Sequence, residues 1–194
     1  MKKILIAALT FLLVGCEQGP TPFVAAPFAF EQSTTAPMGM SVSRITVSDA
    51  YHPTLKRPYV EQEFPVAPST AIHKWVDRRL KATGTSGVLE ITINDASVKE
   101  VSLPKTKGLK GLITDDQDAR YDAKMAVSFK LYGGGGGISD ASADVTISRS
   151  RTINERATVY QREAIYHQMM VEMMNDFDRE TNARLRQYFS NYLN

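Results

Sequence analysis

Apolar and polar residues alternate most regularly between Tyr121 and Leu131. There Tyr121, Ala123, Met125, Val127, Phe129 and Leu131 occupy every second position without a break. That period puts all six side chains on one face of a β-strand. Two further runs share it: Leu89, Ile91 and Ile93 alternate with Glu90, Thr92 and Asn94, and Ala141, Ala143, Val145 and Ile147 alternate with Asp144, Thr146 and Ser148. A first strand is predicted around 42–51, where Ile45 and Val47 share a face. Residues 52–68 hold Pro53, Pro58, Pro65 and Pro68 and read as a loop. Helical spacing appears twice. Ile72, Trp75, Val76 and Leu80 follow Ser69 or Thr70 as N-cap, with Gly84 as the stop signal. Thr158 and Gln161 then have capping-box spacing, and Ile165, Met169, Met173 and Phe177 recur every fourth residue before Leu185, Tyr188 and Tyr192 resume the stripe. A helix from there to Leu193 would be ~54 Å long at ~1.5 Å per residue, so either 176–184 bends or the distal end projects. The order β-α-β-β-β-α predicts an α+β fold: a small antiparallel sheet of about four strands, with two helices packed on one face.

The start of the chain follows different rules. Lys2 and Lys3 precede the apolar run Ile4 to Val14. A membrane-spanning helix needs ~20 apolar residues, so this run is the length of a secretory signal instead. It ends in Leu13-Val14-Gly15-Cys16, which resembles the lipobox of bacterial lipoproteins. The resemblance implies cleavage before Cys16 and attachment of acyl chains, palmitate among them, to that residue. Cys16 is the chain's one cysteine, so no internal disulfide can form, and lipidation would consume an otherwise reactive thiol. In enteric lipoproteins an aspartate after the lipidated cysteine favours the inner membrane. Glu17 stands here, which tilts the expectation to the outer membrane, with the domain facing the periplasm.

Residues 16–39 carry Pro20, Pro22, Pro27 and Pro37 with no basic side chain. They read as a tether reaching ~75 Å if fully extended at ~3.3 Å per residue. Phe23, Phe28 and Phe30 are unusual in a linker and are expected to pack on the domain or dip into the membrane interface, in preference to recruiting a partner. The organisation is therefore a signal at 1–15, a lipidated tether at 16–39 and one α+β domain at 40–194. This order of elements is similar to that of the lipopolysaccharide-assembly lipoprotein and of auxiliary lipoproteins of envelope ABC transporters. That resemblance implies an accessory role in an envelope machine.

Composition narrows the class. The 194 residues are 43% hydrophobic and 23% charged, which fits a folded domain and neither a disordered chain nor a multi-span membrane protein. Without Lys2 and Lys3 the basic and acidic residues balance at 21 each, so net charge offers nucleic acid no attraction.

Catalytic patterns are missing from the sequence. His52, His73 and His167 fall in separate elements, with no pair at metal-ligand spacing. Asp115, Asp116 and Asp118 lack the turn glycine and terminal glutamate of a calcium loop. Gly133 to Gly137 precede a strand and have no following Lys-Ser or Lys-Thr, unlike a phosphate cradle. No Gly-x-Ser-x-Gly motif occurs. No enzyme activity, metal or cofactor is expected. Lys105, Lys107 and Lys110 read as a solvated hairpin loop, with contact to anionic head groups as the alternative. Arg149 and Arg151, on the Val145 and Ile147 face, are expected where that strand leaves the core.

Interaction potential concentrates in the last helix. Met169 and Met173 form one row and Met170 and Met174 a second, about 100° round the axis. One row can meet the sheet; the other is either part of a wide core face, with Met as filler, or a core edge and contact surface. Met170, Met174, Tyr188, Phe189 and Tyr192 are the candidate partner-binding residues. The expected function is a membrane-anchored, non-enzymatic adaptor whose partners are the bilayer, through Cys16, and an envelope protein. The alternative is a small lipid or hydrophobic-ligand binder with its pocket between sheet and Met-rich helix.

Overall fold

A computed structural model describes residues 22–104, 117–133, 140–154 and 156–194. Cys16 and the lipobox, Lys105, Lys107, Lys110, Asp115 and Asp116 lie outside them, as does all of the glycine run except Gly133. The elements are α1 (Ala29–Gln32), β1 (Met38–Met40), β2 (Arg44–Asp49), α2 (Pro68–Arg79), β3 (Leu80–Ala82), β4 (Val88–Ser102), β5 (Gln117–Tyr132), β6 (Ala141–Asn154) and α3 (Val159–Tyr188). The fold is α+β, with a four-stranded sheet and a long C-terminal helix.

The sheet runs β2-β4-β5-β6. β4, β5 and β6 are antiparallel neighbours, whereas β2 joins β4 in parallel, Ile45 opposite Leu89. The expected antiparallel sheet is thus mixed at one edge. The cause is the connection: α2 intervenes between β2 and β4 and returns the chain to the end from which β2 started. β1 and β3 form a separate parallel pair.

One face of the sheet is covered. On β5, Tyr121, Ala123, Met125, Val127, Phe129 and Leu131 are all buried, while Arg120, Lys124 and Lys130 are exposed. On β4 the buried set changes parity, from Leu89, Ile91 and Ile93 to Ala96 and Val98. A bulge between Ile93 and Asp95 causes this, because one extra residue turns every later side chain over.

Both helices begin with local chemistry. Pro68 opens α2 at its first turn, where its missing N–H costs nothing, and Ala67 is the N-cap in place of the expected Ser69 or Thr70. Thr158 caps α3 as expected: its Oγ1 accepts from Gln161 N at 3.2 Å, and Gln161 Oε1 accepts from Thr158 N at 2.9 Å. Gly84 is not the stop of α2, which ends at Arg79 and passes straight into β3. Its role is close approach: a Cβ there would lie 2.5 Å from the Ser41 carbonyl carbon.

Neither expected fate of the long helix occurs. α3 runs unbroken through 176–184, ends at Tyr188 and gives way to a short 3-10 turn, Ser190–Tyr192. It does not overshoot because the strands are long: β5, at 16 residues, spans about 53 Å at ~3.3 Å per residue, against ~45 Å for the 30 residues of α3 at ~1.5 Å.

The chain before β1 touches the fold from Phe23 and is buried in it at Phe28 and Phe30. Phe28 and Phe30 are buried, their rings stacked at 5.5 Å, and α1 touches both α2 and α3. Lys74 pairs with Glu31 at 3.3 Å, and Arg78 donates to the Ser33 carbonyl at 3.0 Å. Within the stretch read as a tether, residues 28–32 therefore pack on the domain and 38–39 begin β1.

Candidate functional site

The four clustered methionines lie in the core. Met169, Met170, Met173 and Met174 are fully buried, so the row that the sheet does not take is closed off by other parts of the chain. At one end Tyr166 stacks on Phe64 at 4.3 Å and meets Tyr121 edge-on at 5.0 Å. Burial, with the Tyr121 hydroxyl, pushes the Tyr166 phenol well above its ordinary pKa. At the other end Trp75 of α2 meets Phe177 at 5.2 Å, and its indole N–H donates to Asp178 Oδ1 at 2.7 Å. Arg79 reaches the same oxygen at 2.9 Å.

Of the five residues expected to bind a partner, Met170, Met174 and Phe189 are core side chains and line no surface. Tyr188 remains half exposed, and Tyr192 is partly buried with its hydroxyl 3.5 Å from Asp140. The C-terminus is pinned beside β1 and β3. Ser41 N donates to the Tyr192 carbonyl at 2.7 Å, Asn194 N to the Gly39 carbonyl at 3.0 Å, and Asn194 Nδ2 to Thr83 Oγ1 at 2.7 Å.

Charged positions also find structural employment. Arg149 and Arg151 stay on the helix-facing side of β6 and meet α3 carboxylates: Arg151 with Glu172 at 2.5 Å, and Arg149 with Asp176 and, at 3.7 Å, Glu172. Burial alone would raise the Asp176 carboxyl, but Arg149 and Arg179 outweigh it and hold the pKa below its ordinary value. Glu61, buried, accepts from the Tyr51 hydroxyl at 2.7 Å and from Val98 N at 3.3 Å. His73 pairs with Asp49 at 3.0 Å on the surface, and His52 is exposed.

His167 is the third histidine and the least ordinary. It is buried between Phe23 (5.8 Å between ring centres) and Phe28 (5.7 Å). Burial lowers its pKa, while the Ala26 backbone and Glu31 pull weakly the other way. Phe23 also meets Tyr160 edge-on at 5.5 Å. Beside Tyr160 a groove of about 510 Å³ opens at the junction of β6 and α3, lined by Asn154, Arg156, Ala157, Tyr160, Ala164 and Ile165. Sequence reasoning missed this surface. Its signal was Phe23 in the tether and the apolar pair Val159-Tyr160 straight after the helix cap.

Among the described residues no group of three or more His, Cys, Asp or Glu side chains is placed to hold a metal. No helix among them is long and apolar enough to cross a membrane. The outer edge of β6, 14 residues long, makes no ladder with another strand among the described residues.

No protein-family model matches this chain, and no curated protein matches it. Among solved structures, the chain is similar to rare lipoprotein B of Shewanella oneidensis, with a TM-score of 0.35, 13% identity and coverage of 73% of this chain and 95% of that one. Protein XCC0632 of Xanthomonas campestris, assigned to DUF330, gives 0.34 and 11%, covering 79% and 88%. PelC of Paraburkholderia phytofirmans gives 0.21 and 12%, covering 70% and 84%.

Proposed function

We propose that this chain is a lipid-anchored lipoprotein of a bacterial envelope, acting as a non-enzymatic adaptor or accessory subunit of an assembly or transport machine. Cys16 is the anchor. The supporting observation is the sheet edge: β6 offers 14 residues of strand, mostly Ala, Ser, Thr, Val and Ile, with no strand paired along its outer edge among the described residues. Such an edge is a template for pairing with another chain, and on β6 it is guarded only toward its second half, by the inward-facing Arg149 and Arg151. Tyr188, exposed at the far end of α3, adds a second contact point. The ligand-binding alternative required a pocket between sheet and Met-rich helix. Met125, Phe129 and the four clustered methionines are buried, and the groove that does open between β6 and α3 lies at the start of the helix, lined by none of them, which speaks against it.

The test is co-purification of the acylated protein from crosslinked native membranes, beside Cys16→Ser. A stoichiometric envelope partner, with the variant released from the membrane fraction, is expected. A clean monomer would overturn the adaptor, and unchanged membrane association of Cys16→Ser would overturn the anchor.

A further inference from the structure

Large hydrophobic side chains well exposed to solvent are few among the described residues, and three of them lie together. Val24 is 81% exposed, Val159 73% and Tyr160 54%. Val159 and Tyr160 open α3, Phe23 packs on Tyr160, and Val24 follows Phe23 in the chain. The groove lined by Ala157, Ala164 and Ile165 continues this apolar surface past Tyr160. A solvated helix start has no use for Val-Tyr at its most exposed positions, and the residues after Thr158 gain nothing in capping from them.

The length of chain before the first packed residue says what covers this surface. Phe23 stands seven positions after Cys16. Fully extended, those residues reach at most about 25 Å at ~3.3–3.6 Å each. If Cys16 carries acyl chains, the Phe23 end of the domain is held at the bilayer and cannot range over the ~75 Å that a free tether would allow. Valine and tyrosine suit the boundary between acyl chains and headgroups, tyrosine because its ring is apolar and its hydroxyl polar.

We infer that the Phe23, Val24, Val159 and Tyr160 surface is seated on the lipid bilayer that holds Cys16, which fixes which end of the domain faces the membrane. This rests on the lipoprotein reading. Tyr188, at the other end of the same unbroken helix, lies ~42 Å along the axis from Tyr160 at ~1.5 Å per residue and is the end turned from the lipid.

The test uses the full-length, acylated chain in phosphatidylethanolamine and phosphatidylglycerol vesicles. Val24→Cys, Val159→Cys and Tyr188→Cys are each labelled with an environment-sensitive fluorophore. Cys16 is the one native cysteine, and acylation leaves it unreactive. Nitroxide lipids are then added as quenchers. Labels at 24 and 159 are expected to be quenched several-fold more than the label at 188. Equal quenching at all three positions, with mass spectrometry showing Cys16 acylated, would overturn the inference and leave the anchor intact. An unacylated Cys16 in protein that fails to float with the vesicles would overturn the lipoprotein reading, and the inference with it.

Discussion

His167 couples the first packed stretch of the chain to α3 through ring contacts with Phe23 and Phe28. Two phenylalanine faces flank it, and neither ring nitrogen has a hydrogen-bonding partner by normal geometry among the described residues. Its pKa in the folded protein lies below the ordinary value of 6.5, which the unfolded chain recovers. Below that pH the unfolded state takes up a proton that the folded state refuses, so stability falls as pH drops from about 6.5 toward the folded value. Urea midpoints measured from pH 8 to pH 5 should decline over that window, and His167→Leu should flatten the decline. Asp176 has the same linkage direction with the charge types exchanged. Its depressed pKa contributes stability above the ordinary carboxylate range that is lost as pH falls through the folded value, well below the window of His167. Arg149 is about 38% exposed, so solvent screens its pair with Asp176, and Arg149→Met should cost less than ~1 kcal/mol.

At the scale of elements, α3 is a core helix whose two methionine rows both find cover. Met173→Ala should therefore cost ~2–5 kcal/mol in chemical denaturation. Met170→Asp should unfold the domain, because an unpaired carboxylate would enter a fully buried site. Tyr188→Asp, at a half-exposed position, should stay within about 0.5 kcal/mol of the parent. Phe28→Ala should cost ~3–5 kcal/mol, which would confirm that residues before the first strand are structural. These elements were unequally legible. β5 could be read residue by residue, because one covered face and one wet face write a period of two. β4 looked half its length, since the bulge at Asp95 inverts the parity and ends the visible pattern at Asn94. β6 looked short because Arg149 and Arg151 occupy core-side positions, which only the carboxylates of α3 make tolerable. The second methionine row could be read either as wide core or as contact surface, because nothing in the helix's own sequence says what covers it. Cover supplied by a remote segment leaves no local trace.

For the whole molecule, the arrangement is a sheet covered on one face by two helices, with the chain before β1 packed against both of them. The opposite sheet face carries Arg120, Lys124 and Lys130 and is ionically self-contained in part: Lys124 meets Asp95 at 3.1 Å, and Arg120 meets Asp122 at 2.8 Å. Both charge signs interleave there, which suits water better than an anionic partner. The apolar surface is at the Phe23 and Tyr160 end, and the unpaired strand edge runs the length of the domain away from it. An adaptor would hold the bilayer with one and a protein with the other. Shape at this scale was partly legible in advance, through the element order, but the parallel edge strand was not, because pairing direction has no local pattern. The most direct measurement is photo-crosslinking in intact cells from a benzoylphenylalanine placed at Thr146, exposed on β6, with Glu90 on β4 as the internal control. The adaptor account expects one dominant crosslinked envelope protein from position 146 and little from position 90. Diffuse or absent crosslinking from 146, with the acylated protein folded and in the membrane, would contradict it.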